Sequence, residues 1–185
     1  MLEELLKSTE ERMDKAIQAL RRDLTSVRAG RASASMLDKV TVEYYGSQMP
    51  VNQVATVTSP EPRQLVIAPW DKGMLSEIEK AIQKSDLGLN PTNDGAVIRL
   101  IIPQLTEQRR QELVKVVRKM AEESRVAVRN IRRDANDDLK KMEKAGDSSE
   151  DDAHRLQERI QALTDRFVGE IDKMAVTKEK EVTEV

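Results

Sequence analysis

The chain has 185 residues, of which 38% are hydrophobic, 35% charged and only 2% aromatic, a mixture that fits long amphipathic helices better than a β-sandwich or a disordered tail. Its formal net charge of −2 excludes a polycation, so any nucleic-acid binding must come from a local patch. Cysteine is absent, which excludes disulfides and thiolate metal sites, and no apolar run approaches the ~20 residues of a membrane span.

The N-terminus, MLEELLKSTEERMDKA, is charged and amphipathic and lacks the apolar core of a signal peptide, so a cytoplasmic protein is expected. Leu2, Leu6, Met13, Ile17, Leu20, Leu24 and Val27 follow three-and-four spacing, which predicts one helix from Leu2 to Ala29. Gly30 stops it, and the small residues of RAGRASASMLD read as a linker. From Arg31 to Leu105 the character changes, and all six prolines lie here. Val40 to Tyr45 alternates and ends at Gly46-Ser47, a hairpin turn. Val54 to Thr58 and Leu65 to Ala68 read as further strands. Leu75, Ile78 and Ile82 sit at helical spacing, so a short helix is expected from Gly73 to Ser85, closed near Gly88. Leu89 to Pro91, a turn at Asn93-Asp94-Gly95, and Ala96 to Ile102 form a last hairpin.

At Pro103 the helical pattern resumes. Thr106 suits an N-cap, and the helix should run to about Lys144 with Gly146 as its stop. Ser148 or Ser149 then caps a third helix whose first turn, Glu150-Asp151-Asp152, complements the helix dipole. Its stripe is Leu156, Ile160, Leu163, Phe167, Ile171, Met174 and Val182. Three long amphipathic helices must hide their stripes against one another. The expected fold is therefore α+β: a long antiparallel three-helix bundle (1–30 and 105–185) with a small β/α/β domain (31–104) inserted into it. Two connections, at about 30–31 and 103–105, make a hinge of Gly30, Arg31, Ala32, Pro103, Gln104 and Leu105. An elongated, L-shaped or dumbbell outline is expected.

Charge is unevenly spread along the bundle. Residues 105–146 hold 12 basic and 8 acidic side chains, whereas 147–185 hold 6 and 11. At about 100° per residue, Arg118, Arg125, Arg129 and Arg132 share one narrow sector, with Arg133 beside it. Val117, Met120, Ser124, Val128, Ile131 and Ala135 occupy another face, so one side can pack while the other holds guanidinium groups in water. Planar, permanently charged forks on a rigid rod suit phosphate oxygens. The competing reading is a solvated face with weak pairs, Arg118 with Glu122 and Arg133 with Asp137. Because no acid lies between Arg125 and Arg133, no local partner is expected to neutralise Arg125, Arg129 or Arg132. Helix two runs antiparallel to helix one, which places Arg129 and Arg132 far from the hinge, near Met1 to Leu6. Guanidinium groups locked into carboxylates of the neighbouring helix would undo this reading.

Nothing in the chain assembles into an active site. The single histidine, His154, reads as a surface residue near carboxylates, and there is no P-loop and no GxGxxG. Asp151-Asp152 are explained by capping. Tyr44-Tyr45 and Trp70 could stack on bases, but are expected to pack the small domain, which has few other large residues. No metal site and no catalytic residue are expected. A helical adaptor or holdase that binds proteins is the alternative, and it would need a broad apolar groove.

Five blocks in register carry a family resemblance: GRASASMLD (Gly30 to Asp38), VEYYG (Val42 to Gly46), SDLGLNP (Ser85 to Pro91), PQLTEQRR (Pro103 to Arg110) and RVAVRNIRRDAND (Arg125 to Asp137). Together they resemble bacterial ribosome recycling factor over essentially the whole chain. Ala34 stands where that family's block carries a proline. The resemblance implies a three-helix domain I and an inserted β/α/β domain II. It implies a monomeric factor that binds the post-termination ribosome, mainly large-subunit ribosomal RNA. With elongation factor G, which uses the GTP, it would split the subunits without a cofactor of its own. Arg132 and Arg129 fall in the family's arginine block, Arg28 and Arg31 before the hinge, and Arg110 in the QRR block. With Arg125, Arg133 and Arg118 they make the expected ribosome-binding set.

Overall fold

The computed structural model describes residues 1–27 and 32–184. Its α-helices are, in chain order, α1 (Leu2–Thr25), α2 (Leu75–Lys84), α3 (Glu107–Lys144) and α4 (Glu150–Thr183). The strands are β1 (Thr41–Tyr44), β2 (Ser47–Pro50), β3 (Ala55–Glu61), β4 (Gln64–Pro69), β5 (Thr92–Asn93) and β6 (Ile98–Ile101). The chain divides into two compact units, Met1–Arg28 with Thr106–Val185, and Ala29–Leu105.

The first unit is the bundle of α1, α3 and α4. Ion pairs report its helix directions. Glu3 meets Arg159 at 2.6 Å and Glu10 meets Arg166 at 2.8 Å, so α1 and α4 run parallel. Arg118 meets Glu179 at 2.7 Å and Arg125 meets Asp172 at 2.8 Å, so α3 runs antiparallel to α4. Met13, Ile17 and Leu20 of α1, Val117 and Val128 of α3, and Ile160, Phe167 and Ile171 of α4 are buried between them. Two departures from the expected stripes are matters of size. Met120 and Met174 are half-buried, while the small Ala121 and Ala175 take core positions that admit close helix approach. Thr9 and Thr164 are buried too, each hydroxyl donating to the carbonyl four residues back, at 2.7 and 2.8 Å.

The helix ends follow from local chemistry. Thr106 Oγ1 accepts from Arg109 N at 3.1 Å and Ser149 Oγ from Asp152 N at 3.1 Å, each satisfying an orphan donor of the first turn. Of the two candidate caps, Ser149 serves. At the end of α3, Gly146 takes φ +80°; its N–H donates to Glu143 O and that of Asp147 to Met142 O. That is the Schellman closure, and the left-handed residue in it favours glycine. Helix α1 ends at Thr25 rather than continuing to Ala29. The hydroxyls of Thr25 and Ser26 take Arg21 O and Asp23 O, and the last turn tightens, with Ser26 N donating to Asp23 O.

In the second unit, β1 and β2 form a two-stranded antiparallel sheet, and β3, β4, β6 and β5 lie in that order in a four-stranded antiparallel one. Both sheets and α2 share one aliphatic core, with Val42, Val51, Leu65, Ile67, Ile78, Ile82, Ile98 and Leu100 in it. The first hairpin turns at Tyr45-Gly46, one residue earlier than expected, with φ +48° and +83°. Positive φ at both positions matches the right-handed strand twist. The last hairpin starts at Thr92 rather than Leu89. Tyr44 packs against the core, but Tyr45 is 84% and Trp70 67% exposed, which corrects the expectation that these rings pack the small domain. Tyr45 occupies the hairpin tip, beyond the core's reach. Trp70 donates its indole N–H to Thr56 Oγ1 at 2.8 Å, and aliphatic residues fill the interior without it.

Candidate nucleic-acid interface

The stripe on α3 lies along its seam with α4, and its arginines divide into two kinds. Arg118 and Arg125 are closed. Arg118 Nε donates to Glu179. Arg125 reaches Asp172 through Nε at 2.8 Å and Glu122 through Nη1 at 2.9 Å. Partial burial of Arg125 opposes its charge, but the bonds from Asp172 and Glu122 outweigh it and hold its pKa above the ordinary arginine value. Arg129 is intermediate, with Nη1 3.8 Å from Glu122.

Arg132 and Arg133 are open. Among the described residues neither has a carboxylate within ion-pair distance. Arg132 Nη1 donates to the amide oxygen of Gln161 at 3.5 Å, and Arg133 Nη1 donates to Asn130 Oδ1 at 3.2 Å. The expectation that no acid neutralises Arg125, Arg129 or Arg132 is therefore corrected for the first two. Glu122 lies three residues before Arg125, within reach of both, and Asp172 comes from the neighbouring helix. The two local pairs expected at i,i+4 do not form either: Glu122 serves Arg125, and Arg133 turns to Asn130 instead of Asp137.

The remaining predicted residues scatter. Arg110 is only 13% exposed, 3.5 Å from Glu107, so it offers no free fork. Arg28, Gly30 and Arg31 lie outside the described residues. Ala32 N–H donates to Pro62 O and Ile102 N–H to Arg63 O, so both connections leave the second unit from one β3–β4 turn. Of the expected hinge, Ala32 makes one of those two bonds, and Pro103, Gln104 and Leu105 follow the residue that makes the other.

Arg132 sits near the end of the bundle where Leu2, Leu5 and Leu6 pack against Ala135, Leu139, Ala153 and Leu156. Lys140, Lys141 and Lys144 follow on α3. Open cations on a rigid helix can meet phosphate oxygens without losing a carboxylate first. The outcome set against the stripe, guanidinium groups locked into carboxylates of the neighbouring helix, holds for Arg118 and Arg125 and not for Arg132 or Arg133. Its signal was in the sequence: Asp165, Asp172 and Glu179 recur every seven residues on α4, as do Arg118, Arg125 and Arg132 on α3. Elsewhere, His154 forms an exposed contact with Glu158 at 3.2 Å. Among the described residues no group of three or more His, Cys, Asp or Glu could hold a metal ion.

Comparison with known proteins matches residues 20–182 to the family model described as Ribosome recycling factor. Over all 185 residues and the full length of each relative, the chain is 58% identical to the Ribosome-recycling factor of Brevibacillus brevis and 60% identical to that of Bacillus subtilis. It resembles a solution structure of the ribosome recycling factor with a TM-score of 0.73 and 43% identity, covering 100% of this chain and 98% of that one. A second similar structure, at TM-score 0.62 and 48% identity with full coverage of both chains, is the T. thermophilus ribosome recycling factor, from models of that factor and E. coli elongation factor G bound to the E. coli post-termination complex.

Proposed function

The chain belongs to the ribosome recycling factor family, and from that premise we propose that it binds the post-termination ribosome and, with elongation factor G and GTP, promotes subunit dissociation so that ribosomes leave the mRNA. It is a translation factor. Its own part is to bind and transmit force, with no bond chemistry and no cofactor; the GTP is consumed by elongation factor G. No described helix is long and apolar enough to cross a membrane, and the cytoplasm is the place of this work. A protein-binding adaptor would present a broad apolar groove. Among the described residues, the exposed large apolar side chains of the bundle are instead Met1, Val116, Val126 and Val176.

Within this function the bundle lies against large-subunit ribosomal RNA, with Arg132 and Arg133 as the leading contacts and Arg129 beside them. The observation that supports this choice is the split in the stripe: Arg118 and Arg125 already hold carboxylates, and Arg132 does not. Folded RNA presents close-spaced phosphates, and a charge-assisted bond to one is worth about 1.5–3 kcal/mol. Sedimentation with vacant and post-termination ribosomes at graded salt tests it. Arg132→Ala should weaken binding about tenfold or more and reduce the steepness of the salt dependence. Wild-type affinity and slope in that variant would remove Arg132 from the interface.

A further inference from the structure

The two closed rungs define a register that continues along the seam. Arg118 meets Glu179 and Arg125 meets Asp172, so seven residues forward on α3 answer to seven residues back on α4. A heptad step keeps a side chain on the same seam of paired helices. The next rung is Arg132 with Asp165, and it stays open. Asp165 Oδ1 instead accepts a hydrogen bond from the Gln161 side-chain amide at 2.9 Å. The other end of that amide, Gln161 Oε1, faces Arg132 Nη1 at 3.5 Å. Chemistry fixes this orientation. A carboxylate only accepts and a guanidinium only donates, so the amide NH2 must face Asp165 and its oxygen must face Arg132.

We propose that Gln161 is a positioning residue for ribosome binding: by occupying Asp165 and offering Arg132 a neutral acceptor, it keeps the third arginine of the seam open and aimed for a phosphate. This rests on the reading that Arg132 contacts RNA. A neutral amide leaves the guanidinium charge uncompensated, whereas the carboxylates of the first two rungs cancel it. The bond at 3.5 Å is at the long limit for a hydrogen bond, so a phosphate can replace it with little loss. Gln161 belongs to the exposed face of α4, so replacing it disturbs no core contact.

Four variants tested by ribosome sedimentation decide the matter. Gln161→Leu should let Asp165 close onto Arg132 as the other rungs close, weakening binding about threefold to fivefold, the factor an exposed ion pair is worth. Gln161→Leu with Asp165→Asn should recover wild-type affinity, because the uncharged amide that replaces the carboxylate cannot capture the guanidinium as a counter-ion. Asp165→Asn alone should bind as the wild type does. Rescue separates positioning from a general structural role, which neutralising a second side chain would not repair. If Arg132→Ala weakens binding but Gln161→Leu does not, or if the double variant stays as weak as Gln161→Leu, the role of Gln161 is overturned alone. If Arg132→Ala binds like the wild type, the RNA-contact reading falls and takes this one with it.

Discussion

Arg125 and Arg132 are the same residue type two turns apart on one helix, and their surroundings give them different work. Arg125 is 22% exposed at its side chain and bridges Glu122 on its own helix to Asp172 on the next. Removing it leaves two carboxylates facing each other across the seam. Arg125→Ala should therefore cost stability: about 1 kcal/mol in urea denaturation, or about 2–4 °C in Tm for a chain of this size. Ribosome affinity should change less than twofold. A large affinity loss with unchanged Tm would return Arg125 to the binding surface. The arginine stripe itself was legible, because helical periodicity needs only local sequence. Its division into closed and open members was not, because the deciding carboxylate, Asp172, is far away in the chain and reaches Arg125 only once α3 and α4 are in register.

At the scale of elements, legibility followed the range of the interactions. The long helices of the bundle were readable because three-and-four spacing, Thr106, Ser149 and Gly146 are local signals with local causes. The order of the four-stranded sheet was not. Strand β6 pairs between β4 and β5 after a helix has intervened, and no turn residue encodes that choice. The last hairpin illustrates a local signal that also makes a titration prediction. Asp94 Oδ1 accepts from Ala96 N and Val97 N, both at 2.9 Å, and Arg99 lies 3.4 Å from its other oxygen. The backbone bonds from Val97 and Ala96, helped by Arg99, hold its pKa below the ordinary 3.8. A carboxylate depressed on folding contributes stability above its unfolded pKa and loses it as pH falls through the folded value. Asp94→Asn keeps an acceptor oxygen but cannot titrate. The stability difference between wild type and Asp94→Asn should therefore stay constant above about pH 5 and change only on acidification below about pH 4. Thermal denaturation from pH 2 to 7 measures it; parallel curves throughout would show that the turn does not sense protonation.

For the molecule as a whole, the question is how this translation factor would do the mechanical work proposed for it. The chain builds two units, each with its own core, and joins them by two connections. On the second unit's side both connections are fastened to one turn, through Ala32 with Pro62 and Ile102 with Arg63. Two covalent links rooted at one place can pass a load while permitting rotation, which a single flexible linker would absorb. In this proposal the bundle holds RNA through Arg132 while the GTPase drives the second unit, and the work reaches the subunit bridges through the pair of connections. The absence of cysteine makes the test clean, since one cysteine introduced on each unit supplies the only thiols in the protein. A short bifunctional thiol reagent then ties the units together, and a cleavable version releases them. The tied protein should sediment with ribosomes as the untied one does, yet fail to split subunits with elongation factor G and GTP, and cleavage should restore splitting. Undiminished splitting by the tied protein would mean that the units need not move, and that binding alone supplies the force.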